Sequence, residues 1–301
     1  MPWSLVTYRA AGGGGEGAGA LLGDRVVELP LAASSVFELI LRWREVEPVL
    51  RGFDPTRARE IPGAALLLAL RFPRKLICAG ANYHSHVKEM GIQRQAGARP
   101  YFFLKPPTTA LIGPGDAIAI PSDPGAKVDW EAELAIVIGT GGKHIPASQA
   151  LAHVAGYSAL NDISLRGLHR VPNPIAEPFT WDWLASKGAD RSAPFGPGIR
   201  PAFLVADPQR LDLRLWVNGE LKQEANTADM IDGVAALVAA ASELMTLEPG
   251  DVIATGTPNG VGMPRGEFLQ PGDLVEVEIA DFGRLSNPVV AESANGRGPH
   301  P

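Results

Sequence analysis

The run Leu134 to Ile138 leaves this chain the least choice of fold. Leu-Ala-Ile-Val-Ile, closed by Gly139, is a continuous apolar stretch of strand length and reads as a buried strand. Two carboxylates, Glu131 and Glu133, stand at its head in Val128-Asp129-Trp130-Glu131-Ala132-Glu133-Leu134. Residues two apart on a strand point to the same face, so the pair stands side by side against dry neighbours. Like charges held together there repel and shift each other's pKa unless something compensates. A hard divalent cation is the simplest compensator, and Mg²⁺ or Mn²⁺ suits ligands that are all oxygen. A bare Glu-x-Glu pair is nonetheless more often a solvated strand edge. The segment Gly156 to Asp162 reads as a second strand ending in an acid. Such an aspartate can complete a three-carboxylate metal site, although Asn161-Asp162 is equally good as a plain turn. Spacing alone does not bring Asp162 to the glutamates.

Around these strands the chain divides into a small unit over residues 1–72 and a body over 73–291. In the first unit the Gly12 to Gly15 run marks a turn or flexible loop. Ala20 to Leu29 reads as a strand, a Gly-Asp turn and a second strand, and Val36 to Val49 as a helix. In the body, Leu274 to Ile279 alternates Val275, Val277 and Ile279 against Glu276 and Glu278, the pattern of a half-buried strand. Pro249-Gly250-Asp251 and Pro271-Gly272-Asp273 are turn tripeptides placed before strands. The clearest helix is Ile231 to Leu247, with Asp229 or Asp232 available as its cap. Residues 292–301 are polar and Gly/Pro-rich and read as a disordered tail. Many strands, scattered turns and few helices indicate a β-rich α+β fold.

Composition narrows the function classes. A formal charge of −6 over 301 residues argues against nucleic acid or an anionic membrane as partner. One cysteine, Cys78, excludes an internal disulfide and a multi-cysteine metal site, and fits a reducing compartment. No apolar run nears the ~20 residues of a membrane span, and Met1 to Ala11 lacks a signal-peptide pattern. The expected location is cytoplasmic.

Nine motifs in order carry a more specific message. They are Cys78-Ala79-Gly80-Ala81-Asn82-Tyr83, His86-x-x-Glu89-Met90-Gly91, Phe102-Phe103-Leu104-Lys105-Pro106 and Leu111-Ile112-Gly113-Pro114-Gly115-Asp116. The Glu131-x-Glu133 strand and Asn161-Asp162-Ile163-Ser164-x-Arg166 follow. Lys187-Gly188-x-Asp190, Asn226-Thr227-x-Asp229-Met230 and Gly250-Asp251-Val252-Ile253-Ala254-Thr255-Gly256-Thr257-Pro258 complete the series. Together they resemble the fumarylacetoacetate hydrolase family, its acylpyruvate hydrolase-like and 2-hydroxyhepta-2,4-diene-1,7-dioate isomerase-like branch, over roughly residues 75–290.

The resemblance implies a mixed β-sandwich roll preceded by a small N-terminal α/β unit, a homodimer, and one Mg²⁺ or Mn²⁺ per subunit. It implies Glu131, Glu133 and Asp162 as metal ligands and His86 with Glu89 as the pair that activates water. Their i, i+3 spacing puts His86 and Glu89 on one face of a helical turn. Lys187 matches a lysine facing substrate near the metal. Arg166, His169, Asp190 and Thr257 are implied substrate contacts, and Lys105 either lines the pocket or is structural. The expected reaction is hydrolysis of a carbon–carbon bond in an acylpyruvate-like β-diketo acid, with the 2-keto acid polarised by the metal. Decarboxylation or keto–enol isomerisation of a 2-keto dicarboxylic acid uses the same electron sink and is the alternative. A catalytically silent binding protein is a third reading, against which the intact His86–Glu89 pair stands.

Three departures lie close to the chemistry. Where the family has Ser-Ala-Arg-Asp-Leu-Gln, this chain has Ser164-Leu165-Arg166-Gly167-Leu168-His169. Arg170 to Ser186 is rich in Pro and Trp and reads as an altered lid. Lys-Gly-Phe-Asp-Thr becomes Lys187-Gly188-Ala189-Asp190-Arg191; losing the phenylalanine and gaining a cation near the pocket suggests a different substrate shape or an extra anionic group on the substrate.

Overall fold

A computed structural model describes residues 2–95 and 97–292. The fold is β-rich α+β, built on two mixed sheets. The first part of the chain contributes β1 (Ser4–Arg9), β2 (Glu16–Leu22), β3 (Arg25–Glu28), helices α1 (Val36–Leu41) and α2 (Trp43–Arg51), and β4 (Ala65–Leu66). The body opens with β5 (Leu76–Gly80), α3 (His84–Glu89), β6 (Tyr101–Lys105), β7 (Leu111–Ile112) and β8 (Ile118–Ile120). It continues with β9 (Val128–Asp129), β10 (Ala132–Ile138), β11 (Val154–Asn161), β12 (Ser164–Leu165), α4 (Trp183–Lys187) and β13 (Ala193–Pro201). The last elements are β14 (Asp212–Val217), β15 (Glu220–Asn226), α5 (Val234–Leu244), β16 (Val252–Ala254), β17 (Leu274–Ile279) and β18 (Arg284–Ala291).

The larger sheet runs β3-β2-β1-β13-β11-β10-β16-β5-β6, with β4 beside β1 and β7 beside β13. Leu5 pairs with Ile199 across β1 and β13, so the N-terminal hairpin and the body share one sheet. One buried cluster likewise joins Trp3, Leu39 and Trp43 to Ala135, Val137 and Val252. A five-stranded sheet, β15-β14-β17-β18-β8, packs against the other face. There Val275, Val277 and Ile279 point inward, as their alternation predicts. All of β10 is buried, and each fully buried Leu or Ile in it contributes roughly 1.5–3 kcal/mol.

Two helices differ from expectation. The stretch from Val36 breaks at Arg42, whose φ of −113° is not helical. The restart lets Trp43, Val46 and Leu50 face the core that Val36, Leu39 and Ile40 already fill. Trp43 seats on Gly139, where a Cβ would come within 2.4 Å of the indole. Further on, α5 is shorter than its apolar stripe, and Leu244 is 58% exposed. Neither Asp229 nor Asp232 caps it. Gln209 Oε1 accepts from Val234 N at 2.6 Å, while Asp229 accepts from Ser85 N at 3.0 Å and supports α3 instead. Spacing points to a local aspartate, whereas a side chain from a distant loop holds the cap. The tail expected over 292–301 lies, beyond Glu292, outside the described residues. Among the described residues no helix is long and apolar enough to cross a membrane.

Candidate functional site

The site is set at the head of β10 by register. Ala132 pairs with Asn161, so the end of β11 lies beside the start of β10. Glu131 N donates to Asn161 Oδ1 at 2.9 Å, and Asp162 N returns a bond to the Glu131 carbonyl at 2.9 Å. These bonds supply what spacing could not, and bring Asp162 to the glutamates. One carboxylate oxygen from each of Glu131, Glu133 and Asp162 lies within 4.8 Å of the others, and all three residues are buried.

Charged partners surround this cage. Lys187 Nζ donates to Glu131 Oε2 at 2.8 Å and to Asp162 Oδ2 at 2.7 Å. Arg166 donates from Nη2 to Glu131 Oε1 at 2.6 Å and from Nε to Asp129 Oδ2 at 2.9 Å. Ser164 Oγ donates to Glu131 Oε1 at 2.9 Å, and Gly256 N donates to Glu133 Oε2 at 2.7 Å. Lys105 Nζ donates to the Ile163 carbonyl at 2.9 Å and lies 2.8 Å from Asp162 Oδ1 as an ionic contact. Asp162 Oδ1 itself is buried and receives no aligned hydrogen bond among the described residues.

The charges explain the protonation states. Four acids, Asp129, Glu131, Glu133 and Asp162, meet three cations, Lys105, Lys187 and Arg166, which leaves one negative charge in excess. Burial opposes ionisation of Glu131, but the charges of Lys187 and Arg166 outweigh it and hold its pKa at about 2. Glu133 goes the other way: burial and repulsion from Asp162 and Glu131 push its pKa well above the usual carboxylate range. Lys187 stays charged, since Asp162 and Glu131 more than offset its burial. The excess charge therefore falls on Glu133, which takes up a proton when no further cation is present. One uncompensated charge and an all-oxygen donor set fit a hard divalent metal.

His86 and Glu89 sit beside the cage on α3. His86 Nδ1 lies 3.1 Å from Glu89 Oε2, and Glu89 Oε1 accepts from Gly260 N at 2.9 Å. The carboxylate is thus pinned between helix and loop, and in the neutral tautomer whose Nδ1 donates to it the lone pair is on Nε2. His86 is close enough to Glu131 for a charge on its ring to favour that carboxylate's ionised form. His84, on the same helix, is exposed.

The remaining expected residues fall into two groups. Thr257 is buried beside the Gly256–Glu133 bond, and its Oγ1 accepts from Gln223 Nε2 at 2.9 Å. His169 is half-buried, with its ring centroid 4.5 Å from that of Trp183 and 5.1 Å from that of Trp181. Asp190 instead lies in an exposed turn, with no hydrogen bond to the cage among the described residues. Arg191 donates from Nε to the Ala117 carbonyl at 2.8 Å and makes no salt bridge to the cage among the described residues. Both prongs of Arg166 are engaged by Asp129 and Glu131. The Pro/Trp-rich segment forms a strap closed by Val171 N to the Thr180 carbonyl at 2.9 Å and Asp182 N to the His169 carbonyl at 2.8 Å.

Two contributors escaped sequence reasoning. Asp129 is fully buried and accepts from Gly262 N at 2.6 Å, Met263 N at 3.1 Å and Arg166. Its place two residues before Glu131, repeating the Glu131–Glu133 interval, was the available signal. Ser164 lay inside a quoted motif without being assigned a task.

The chain is similar to known proteins in sequence and in fold. Residues 75–290 match the fumarylacetoacetate (FAA) hydrolase C-terminal family. A mitochondrial oxaloacetate tautomerase of Xenopus laevis is 41% identical over 228 residues, 75% of this chain and 68% of that protein. Maleylpyruvate hydrolase from Sphingobium sp. SYK-6, solved with manganese(II) and pyruvate, superposes with a TM-score of 0.77 at 30% identity. That match covers 96% of this chain and all of the other. A 2-hydroxyhepta-2,4-diene-1,7-dioate isomerase from Mycobacterium marinum gives 0.73 at 32% identity, covering 97% and 99%. With nearly three quarters of its length matched and its buried acidic triad in place, the chain belongs to the fumarylacetoacetate hydrolase family.

Proposed function

We propose that this protein hydrolyses the carbon–carbon bond of an acylpyruvate-like β-diketo acid, using a divalent metal held by Glu131, Glu133 and Asp162. The observation that carries the reading is the His86–Glu89 pair, pinned by Gly260 N at the edge of the carboxylate cage. A bound Mg²⁺ or Mn²⁺ supplies Lewis acidity to the 2-keto acid. His86 Nε2 accepts a proton from water, and the water oxygen bonds to the distal carbonyl carbon. The bond between that carbon and its neighbour breaks, leaving its electron pair on the pyruvate fragment as an enolate. His86 returns the proton to the enolate carbon of the pyruvate fragment, giving pyruvate and a carboxylic acid. Lys187 and Arg166 balance negative charge as it grows, Thr257 and His169 contact substrate, and Lys105 holds Asp162 in place. A homodimer is the proposed assembly.

Keto–enol isomerisation of a 2-keto dicarboxylic acid is a second reading, favoured by the name of the Xenopus relative. It needs the same proton-moving histidine but no attacking water. The test is an ultraviolet assay on acylpyruvates and oxaloacetate with chelator-stripped protein. Loss of enol absorbance with one pyruvate per substrate, only after Mg²⁺ or Mn²⁺ is restored, supports hydrolysis. Metal-dependent interconversion of oxaloacetate tautomers, with acylpyruvates left intact, replaces it with the second reading.

A further inference from the structure

Two elements run outward from the cage, and both change from charge to aromatic as they go. On β6, residues 101, 103 and 105 share one face by strand alternation. Lys105 reaches Asp162, Phe103 comes next, and Tyr101 ends the row, half-exposed and about 13 Å away along the strand. On α4, Lys187 and Trp183 are four apart and therefore on one face. The two rows touch. Lys187 Nζ lies 5.3 Å over the Phe103 ring, Trp183 stacks on Phe103 at 5.0 Å, and Trp183 meets Tyr101 at 5.1 Å.

His169 joins this wall from the other side, edge-on to Trp183. Its Nε2 is buried and has no hydrogen-bond partner among the described residues. Burial, reinforced by Arg166 and Lys187, lowers its pKa and favours a neutral ring. A neutral imidazole among aromatics suits a carbonyl oxygen or another neutral polar atom better than a carboxylate. Arg191, the cation gained in this segment, donates from Nε to the Ala117 carbonyl.

We propose that this aromatic wall is the subsite for the substrate's acyl tail, and that the tail is a flat apolar group, such as an arylacyl, rather than a second carboxylate. The proposal rests on the 2-keto-acid reading above and adds the substrate class. It also distinguishes this chain from relatives whose names specify dicarboxylic acids.

The test uses keto acids that lack a cleavable β-keto group, so binding is read without turnover. Mn²⁺-loaded full-length protein is titrated calorimetrically with 2-oxo-4-phenylbutanoate and with 2-oxobutanoate. The phenyl acid should bind about tenfold tighter, the gain expected from burying roughly half of a phenyl group. Trp183→Ala should bring the ratio close to one and Trp183→Phe should preserve most of it, with Mn²⁺ binding reporting an intact cage in each. Equal affinities in the unaltered protein, or a ratio that survives Trp183→Ala, overturn the subsite. If Mn²⁺ binds but neither acid does, the 2-keto-acid reading falls and takes the subsite with it.

Discussion

Gly167 offers the sharpest mutational test of the geometry behind Arg166. A Cβ added there would lie 1.7 Å from the Gly125 carbonyl oxygen, whereas real Cβ contacts essentially never fall below 3.0 Å. The turn at 124–126 would have to retreat by about 1.3 Å in Gly167→Ala. Its bonds resist that movement. Gly125 N donates to Asp123 Oδ1 at 2.8 Å, Ala126 N donates to the Asp123 carbonyl at 3.0 Å, and Arg166 N donates to the Lys127 carbonyl at 3.1 Å. Overpacking strain of about 1–3 kcal/mol and the loss of the Arg166 N bond, about 1 kcal/mol, give a destabilisation of about 2–4 kcal/mol. Urea unfolding followed by tryptophan fluorescence measures it, with an unchanged slope marking a native-state effect. Gly167→Asp, which restores the residue common in the family, should be at least as damaging. A loss below about 0.5 kcal/mol would show that the turn yields freely and would refute the reasoning.

Three other outcomes follow from the cage. His86→Ala should abolish hydrolysis while Mn²⁺ still binds, as read by steady-state turnover beside calorimetry; surviving turnover removes His86 from water activation. Asp129→Asn leaves Arg166 Nε without its anionic acceptor and should cost about 3 kcal/mol of stability and raise KM; denaturation and kinetics near wild type would contradict its positioning role. In chelator-treated protein Glu133 holds a proton that the unfolded chain has already released above its ordinary pKa of 4.5. Its stabilising contribution is therefore lost as pH rises from about 4.5 through the raised folded value, and Glu133→Gln should flatten that fall. Thermal melts between pH 5 and 8 compare the two proteins, and parallel curves would remove Glu133 as the source.

What the sequence made legible depended on the range of the forces involved. The burial of Leu134 to Ile138 and the alternation in Leu274 to Ile279 follow from local periodicity, and both strands appear. The pairing of Glu131 with Asp162 depends on the β10–β11 register and on Asn161 Oδ1, which no local pattern encodes. The motif order of the family supplied that link. The α5 cap was misplaced because Gln209, over 20 residues upstream, outcompetes the nearby aspartates. The engagement of Arg166 by Asp129 and Glu131 was likewise out of reach of local pattern, since it depends on the packing of β9 beside β12. His169 and the Trp-rich strap were visible as departures; their packing against β6 needed the fold.

The central claim, that Glu131, Glu133 and Asp162 together hold one divalent cation, is tested most directly by Mn²⁺ titration followed by electron paramagnetic resonance. Chelator-stripped protein should remove one equivalent of the free-ion signal per chain, and Asp162→Asn should weaken that site by at least about 100-fold. No tight site in the unaltered protein, or undiminished affinity in Asp162→Asn, would contradict the account.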